Sequence, residues 1–184
     1  GDVLRFTFPR DQAIGFREVN TQGVPGVWRT DTQGLVGAIP NDVTYSYFFP
    51  PRTFSRQSVS VSATYRFVQS VDYNAAGVGI IDPAATGNSQ TVLHCDLSER
   101  ENHVGLRGGL SSVREGPAVA YQGVGRDIVL NTPYTLTMEV EGTTVRCLLD
   151  GQTMLTATVP DLASFPNQVH PTMHIIEASA AFAE

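Results

Sequence analysis

Apolar and polar residues alternate along most of this chain, and Gly, Pro, Asn and Asp interrupt the alternation every few residues. A period of two puts successive side chains on opposite faces of a β-strand. No stretch sustains the i, i+3, i+4, i+7 spacing of an amphipathic helix. The clearest strand is SVSVSATYRFVQ. Val59, Val61, Ala63, Tyr65 and Phe67 share one face; Ser58, Ser60, Ser62, Thr64 and Arg66 share the other. One dry face and one wet face suit an antiparallel sheet. AAGVGIID follows as a glycine-rich strand ending at Asp82-Pro83. FTFPR, GVWRT, GLVGAI and TYSYFFPP read as short strands, and VHPTMHIIEASAAFAE as one closing strand. Roughly twelve to fourteen short strands imply two packed sheets.

Two segments allow register to be derived. In YTLTMEVEGTTVRCLLDGQTML, a turn at Gly142-Thr143 sets Val140 against Val145, Met138 against Cys147 and Leu136 against Leu149. The same register sets Glu139 against Arg146 on the opposite face, which is a cross-strand charge pair. Asp150-Gly151 makes the next turn, with its register left open because Met154 and Leu155 both favour burial. In TVLHCDLSERENHVGLRGG, a four-residue loop at 98–101 opposes Leu97 to Asn102 and Asp96 to His103. Leu93, Cys95 and Leu97 then face the core with Val104 and Leu106. Val92, His94 and Asp96 face outward with His103, Gly105 and Arg107.

Composition narrows the class. The 184 residues carry 41% hydrophobic and 16% charged residues, a globular balance sized for one domain spanning 1–184. No apolar run approaches the ~20 residues of a membrane-crossing helix. The first residues lack the basic-then-apolar pattern of a signal peptide. The net charge of −6 and the absence of basic clusters argue against nucleic acid and membrane partners. All 12 basic residues are arginine, which points to a GC-rich source such as an actinobacterium or one of its phages. Cys95 and Cys147 both lie on apolar strand faces. They are read as two buried free thiols, with a core disulfide as the lesser reading.

The order of these pieces, from GVWRTDTQGLVGAI through SVSVSATYRFVQ, AAGVGIID and TVLHCDL to the Tyr134–Gly151 meander, resembles the concanavalin A-like lectin/glucanase superfamily. It is most similar there to laminin G-like jelly rolls of bacterial and phage proteins. The resemblance spans roughly residues 10–180 and implies an all-β, two-sheet antiparallel β-sandwich. It implies little about function, because the superfamily holds lectins, hydrolases, lyases and spacers. Hydrolases of this fold often carry E-x-D-x-x-E on one strand. This chain has only Glu139-x-Glu141, with Glu139 matched to Arg146.

Candidate chemistry gathers on one face. His94, Asp96, His103 and Arg107 form a polar cluster that suits sugar hydroxyls or an acidic sugar. Two histidines and an aspartate also suit zinc or an Asp–His acid–base pair, and the plain alternative is a wet strand face. Cys95 points the other way, so a Cys–His metal site within the hairpin is disfavoured. Trp28 and Phe67 are assigned to the core, whereas Tyr73 and Tyr121 are surface rings on which a sugar could stack. No D-x-D-x-D-G loop, P-loop, H-E-x-x-H, G-x-S-x-G or C-x-x-C occurs, so no metal and no cofactor is expected.

These readings converge on a non-catalytic carbohydrate-recognition or adhesion module. Its ligand residues would be His94, Asp96, His103, Arg107, Tyr73 and Tyr121, and its partner a cell-surface glycan or polysaccharide. The resemblance places it in a phage tail, or otherwise outside the cell, with neighbouring virion subunits as further partners. The alternatives are a structural virion module and a polysaccharide-cleaving hydrolase or lyase.

Overall fold

The computed structural model describes residues 3–20, 27–38, 45–71, 73–84, 91–109 and 118–184. Fifteen strands follow in chain order: β1 (Arg17–Asn20), β2 (Trp28–Asp31), β3 (Gly34–Ala38), β4 (Tyr45–Phe49), β5 (Phe54–Ser55), β6 (Ser58–Gln69), β7 (Ala75–Ile81), β8 (Val92–Ser98), β9 (His103–Gly109), β10 (Ala118–Gly123), β11 (Tyr134–Glu141), β12 (Thr144–Leu149), β13 (Gln152–Thr158), β14 (Gln168–Ile176) and β15 (Ser179–Phe182). Among the described residues the helical content is one 3-10 turn, Pro160–Ser164. Every strand pairing among the described residues is antiparallel.

The strands form two sheets. One runs β1-β4-β14-β7-β8-β9-β10, with β5 beside β14; the other runs β13-β12-β11-β6-β15-β3-β2. Their inner faces share a core that includes Leu35, Phe67, Val78, Leu93, Leu106, Leu136 and Phe182. Two aromatic side chains donate across the sandwich. Tyr65 Oη donates to the Ala76 carbonyl at 2.6 Å, and Trp28 Nε1 donates to Ser46 Oγ at 2.8 Å. Each thereby meets the hydrogen-bonding requirement that a buried Tyr or Trp brings. Trp28 and Phe67 lie in the core as expected.

The Tyr134–Gly151 meander adopts the derived register, with Val140 opposite Val145, Met138 opposite Cys147, Leu136 opposite Leu149 and Glu139 opposite Arg146. The next turn pairs Leu149 with Gln152, and a bulge between Cys147 and Leu148 turns Leu155 into the core while Met154 stays half-buried. The β8–β9 hairpin departs from expectation. Ser98 pairs with His103 and Asp96 with Gly105, two residues away from the derived register, although the faces are unchanged. Asn102 causes this. It takes φ 51° and donates its N–H to the Ser98 carbonyl, so the loop is 99–102.

Other expectations are corrected. FTFPR is not a strand: residues 7–11 make a turn in which the Asp11 N–H reaches the Thr7 carbonyl and the Asp11 carboxylate accepts the Thr7 N–H at 2.6 Å. The closing segment is two strands in opposite sheets, β14 and β15, with a corner at Glu177, whose φ is 44°. Cys95 and Cys147 are not free. They form a disulfide between β8 and β12, with Cα atoms 5.9 Å apart across the core. Apolar placement alone could not separate two thiols from a bridge, because the bridge joins opposite sheets.

A bridge that closes 52 residues restrains the unfolded chain strongly. Cys95→Ala/Cys147→Ala is expected to lose about 2–4 kcal/mol of stability in urea unfolding, and reduction of the native protein should give a comparable loss. An unchanged urea midpoint in both cases would mean the bridge does not form.

Candidate functional site

A one-dry, one-wet sheet would expose the outward residues of β8. Here β7 and β8 are buried on both faces. The outer face of the β1–β10 sheet carries its own apolar cluster of Val19, Tyr45, Tyr47, Phe49, Ala75, Ile81, Val92 and Ile176. His94 and Asp96, expected on a wet face, are therefore fully buried. Alternation reported the correct face, but a polar side chain did not mean a solvated one.

Pairing across the sheet makes one row of Tyr47, His174, Gly77, Asp96, Gly105 and Tyr121. A Cβ on Gly77 would collide with the Cys95 backbone carbonyl, so glycine there lets β7 and β8 approach. A Cβ on Gly105 would stand 3.1 Å from the Tyr121 ring and 3.3 Å from Asp96 Oδ1, so glycine there lets both settle. One step along β8, His94 lies opposite Arg107.

The six residues singled out from sequence are connected, at three depths. Innermost, His94 Nε2 lies 3.6 Å from Asp96 Oδ2, and the His94 and His174 ring centroids are 3.9 Å apart. In the middle, Arg107 Nε lies 3.3 Å from Asp96 Oδ2, an ion pair that does not meet hydrogen-bond geometry. Outermost, Arg107 Nη2 donates to Tyr73 Oη at 2.7 Å, and Tyr73 Oη bonds His103 Nε2 at 2.6 Å. The His103 and Tyr121 rings are 4.8 Å apart, and Arg107 Cζ lies 5.0 Å from the Tyr121 ring centroid. The Arg107 side chain is 14% exposed and Tyr121 is 47% exposed. The layers run from a dry polar centre, through a guanidinium, to an open aromatic ring.

His174 and Tyr47 belong to the inner layer and escaped sequence reasoning. Their signal was present in the alternation of QVHPTMHII and YSYFF, which sets them on one strand face. Lacking was the knowledge that β14 runs between β4 and β7.

Burial dominates the protonation of this centre. It holds His94 down to about 3, with the Arg107 charge adding to the effect. It also holds His174 well below its usual value, aided by His94 and Arg107. Burial pushes Asp96 up to about 7, against the downward pull of Arg107. Burial raises Tyr47 well above its ordinary value and, to a lesser degree, raises Tyr73. His103, nearer the surface, is lowered by burial and then by Arg107. Near neutrality the two inner histidines are uncharged and Asp96 is poised between its forms. A cleft of about 650 Å³ lies elsewhere, beside β6, Phe6 and Phe16, and contains none of these residues.

No protein-family model and no curated protein matches the chain. Solved structures do. A carbohydrate-binding module, CBM66 from Bacillus subtilis, superposes with a TM-score of 0.71 at 15% identity, covering 92% of each chain. The Emp46p carbohydrate recognition domain in its potassium-bound form gives 0.63 at 9% identity, covering 92% of this chain and 86% of that one. A Bacillus licheniformis beta-glucanase gives 0.62 at 11% identity, covering 92% and 82%.

The protonation states fix a pH dependence. The lowered histidines add stability that is present above their unfolded value of 6.5 and is lost as pH falls below it. Raised Asp96 adds stability that is present below its unfolded value of 3.8 and is lost as pH rises toward about 7. Between roughly pH 4.5 and 6 the unfolded chain gains two histidine protons and gives up the one on Asp96. Stability, with chelator present, should therefore rise with pH across this range. Asp96→Asn should steepen this slope and His174→Gln should flatten it. Denaturant unfolding across that range measures both, and equal slopes in all three proteins would refute the assignment.

Proposed function

Because the chain has the concanavalin A-like jelly-roll fold and carries an exposed ring beside a guanidinium on one sheet face, we propose that it is a carbohydrate-recognition module. The observation that carries this reading is the outer layer of Tyr73, His103, Arg107 and Tyr121. Tyr121 offers a ring on which a sugar can stack. Arg107, held between the Tyr73 and Tyr121 rings, offers a fixed cation suited to an acidic sugar. The Tyr73–His103 bond fixes both side chains beside the Tyr121 ring. His94 and Asp96 support this surface from beneath and do not reach the ligand. The neighbours described as a carbohydrate-binding module and a carbohydrate recognition domain support the same class of ligand.

In its finer form, the module is non-catalytic and works outside the cell on a surface polysaccharide, as one part of a phage tail packed against other virion subunits. The lysine-free composition supports that setting. A second reading, cleavage of a polysaccharide, is favoured by the inner histidines and Tyr47, which hold neutral acid–base groups under the same surface, and by the glucanase neighbour. Against it, that layer is closed to solvent and the E-x-D-x-x-E pattern is absent.

A glycan array that includes uronic-acid polymers and bacterial wall polysaccharides tests the reading. Binding should weaken on the order of tenfold, about 1.4 kcal/mol, in Tyr121→Ala and should survive in Tyr121→Phe. Binding indifferent to both Tyr121→Ala and His103→Ala would move the site elsewhere. New reducing ends or unsaturated products in the same mixtures would favour cleavage, and silence from a folded sample would leave the structural role.

A further inference from the structure

We propose that His94, Asp96 and His174 form a site for a divalent transition metal of the zinc type, seated beneath the glycan-contact layer. One nitrogen from each imidazole and one carboxylate oxygen lie within 4.8 Å of one another, and all three residues are buried.

The inner layer is otherwise hard to account for. Both ring nitrogens of His94, both of His174, both carboxylate oxygens of Asp96 and Tyr47 Oη are buried without a hydrogen-bond partner. Buried polar groups are nearly always paired, and each orphan costs about 1–3 kcal/mol. A metal ion would answer three of these seven atoms, one nitrogen from each imidazole and one carboxylate oxygen. Packing accounts for the burial, and among these atoms only Asp96 Oδ2 meets a facing cation, the Arg107 guanidinium at 3.3 Å.

The donor set chooses the metal. Calcium and magnesium require oxygen ligands in numbers this centre does not supply. Two imidazoles with one carboxylate suit Zn(II), Co(II) or another borderline divalent ion. Cys95 cannot join, because it faces the core and is bonded to Cys147. Ligands about 2.0–2.1 Å from a tetrahedral metal stand roughly 3.4 Å from one another. Donors spread over as much as 4.8 Å must therefore close by up to roughly 1.4 Å to reach that separation.

The surroundings suit a bound cation with one opposing term. Arg107 lies 3.3 Å from Asp96 Oδ2 and would orient that carboxylate as an outer-shell partner while its charge lowers the affinity. Tyr47, whose ring centroid is 5.8 Å from that of His94 and 5.9 Å from that of His174, is the remaining polar side chain of this layer, with its Oη buried and unpartnered. A metal here would lock Asp96, then Arg107, and through Arg107 the Tyr73 hydroxyl. Glycan binding does not depend on this site being occupied, so either inference can fail alone.

The test uses the whole chain with its disulfide intact. Purified protein is stripped with EDTA, desalted and titrated with Zn(II) and with Co(II). The expected results are one equivalent of zinc by elemental analysis, a higher melting midpoint with Zn(II), and visible d–d absorption with Co(II). Affinity should fall on the order of a hundredfold in His174→Gln and in Asp96→Asn, and should be unchanged in His103→Ala. If the inner variants do not fold, Zn(II)-induced shifts of the His94 and His174 ring nitrogens in the native protein's NMR spectrum provide the same answer. A folded native chain that holds no stoichiometric zinc and gives no cobalt spectrum overturns the proposal. So does zinc binding that His103→Ala abolishes while His174→Gln retains it.

Discussion

A carboxylate without access to water is the constraint around which this molecule is arranged. Asp96 lies on the outer side of its sheet, where most antiparallel sandwiches are wet, yet it is fully buried. Desolvating an ionised carboxylate costs several kcal/mol unless a partner answers it. Arg107 answers part of that cost from the adjacent strand, and Asp96 shifts toward its protonated form for the rest. Arg107 is in turn held by Tyr73 and covered by Tyr121. The contact surface is thus the outward end of a chain of obligations that begins at one acid.

That chain exists because the centre of the β1–β10 sheet, at β7 and β8, is dry on both faces. Its inner face packs on the disulfide-bridged core, and its outer face holds a second apolar cluster with the histidines set among tyrosines. Strands buried on both sides read as apolar runs in most proteins. Here β8 reads as alternating, VLHCDLS, because the outer positions carry His and Asp where aliphatic residues would ordinarily stand. Polar residues in such places are costly.

Much of this was legible in the sequence. The faces of residues 58–67 in β6, 92–97 in β8 and 103–107 in β9 follow from parity alone, and the β11–β12 register follows from matching apolar pairs with the Glu139–Arg146 pair. Parity also brought His94, Asp96, His103 and Arg107 together. It failed where information is non-local. Asn102 in a left-handed conformation moved the hairpin by two residues. The Cys95–Cys147 bond crosses between sheets, and His174 comes from a strand eighty positions along the chain from His94 (174 − 94 = 80). Burial of the outer face depends on which strands flank β8 and on nothing in β8 itself.

Strand β8 is gripped from both sides at consecutive residues. Cys95 is bonded through the core to β12, while its immediate neighbours His94 and Asp96 hold the opposite face. A cross-link on one side thus fixes the backbone from which the other side is built. The cellular compartment in which the chain is produced consequently matters to its chemistry. Material made under reducing conditions would be the same polypeptide with a differently anchored β8, and its affinity measurements would describe another molecule.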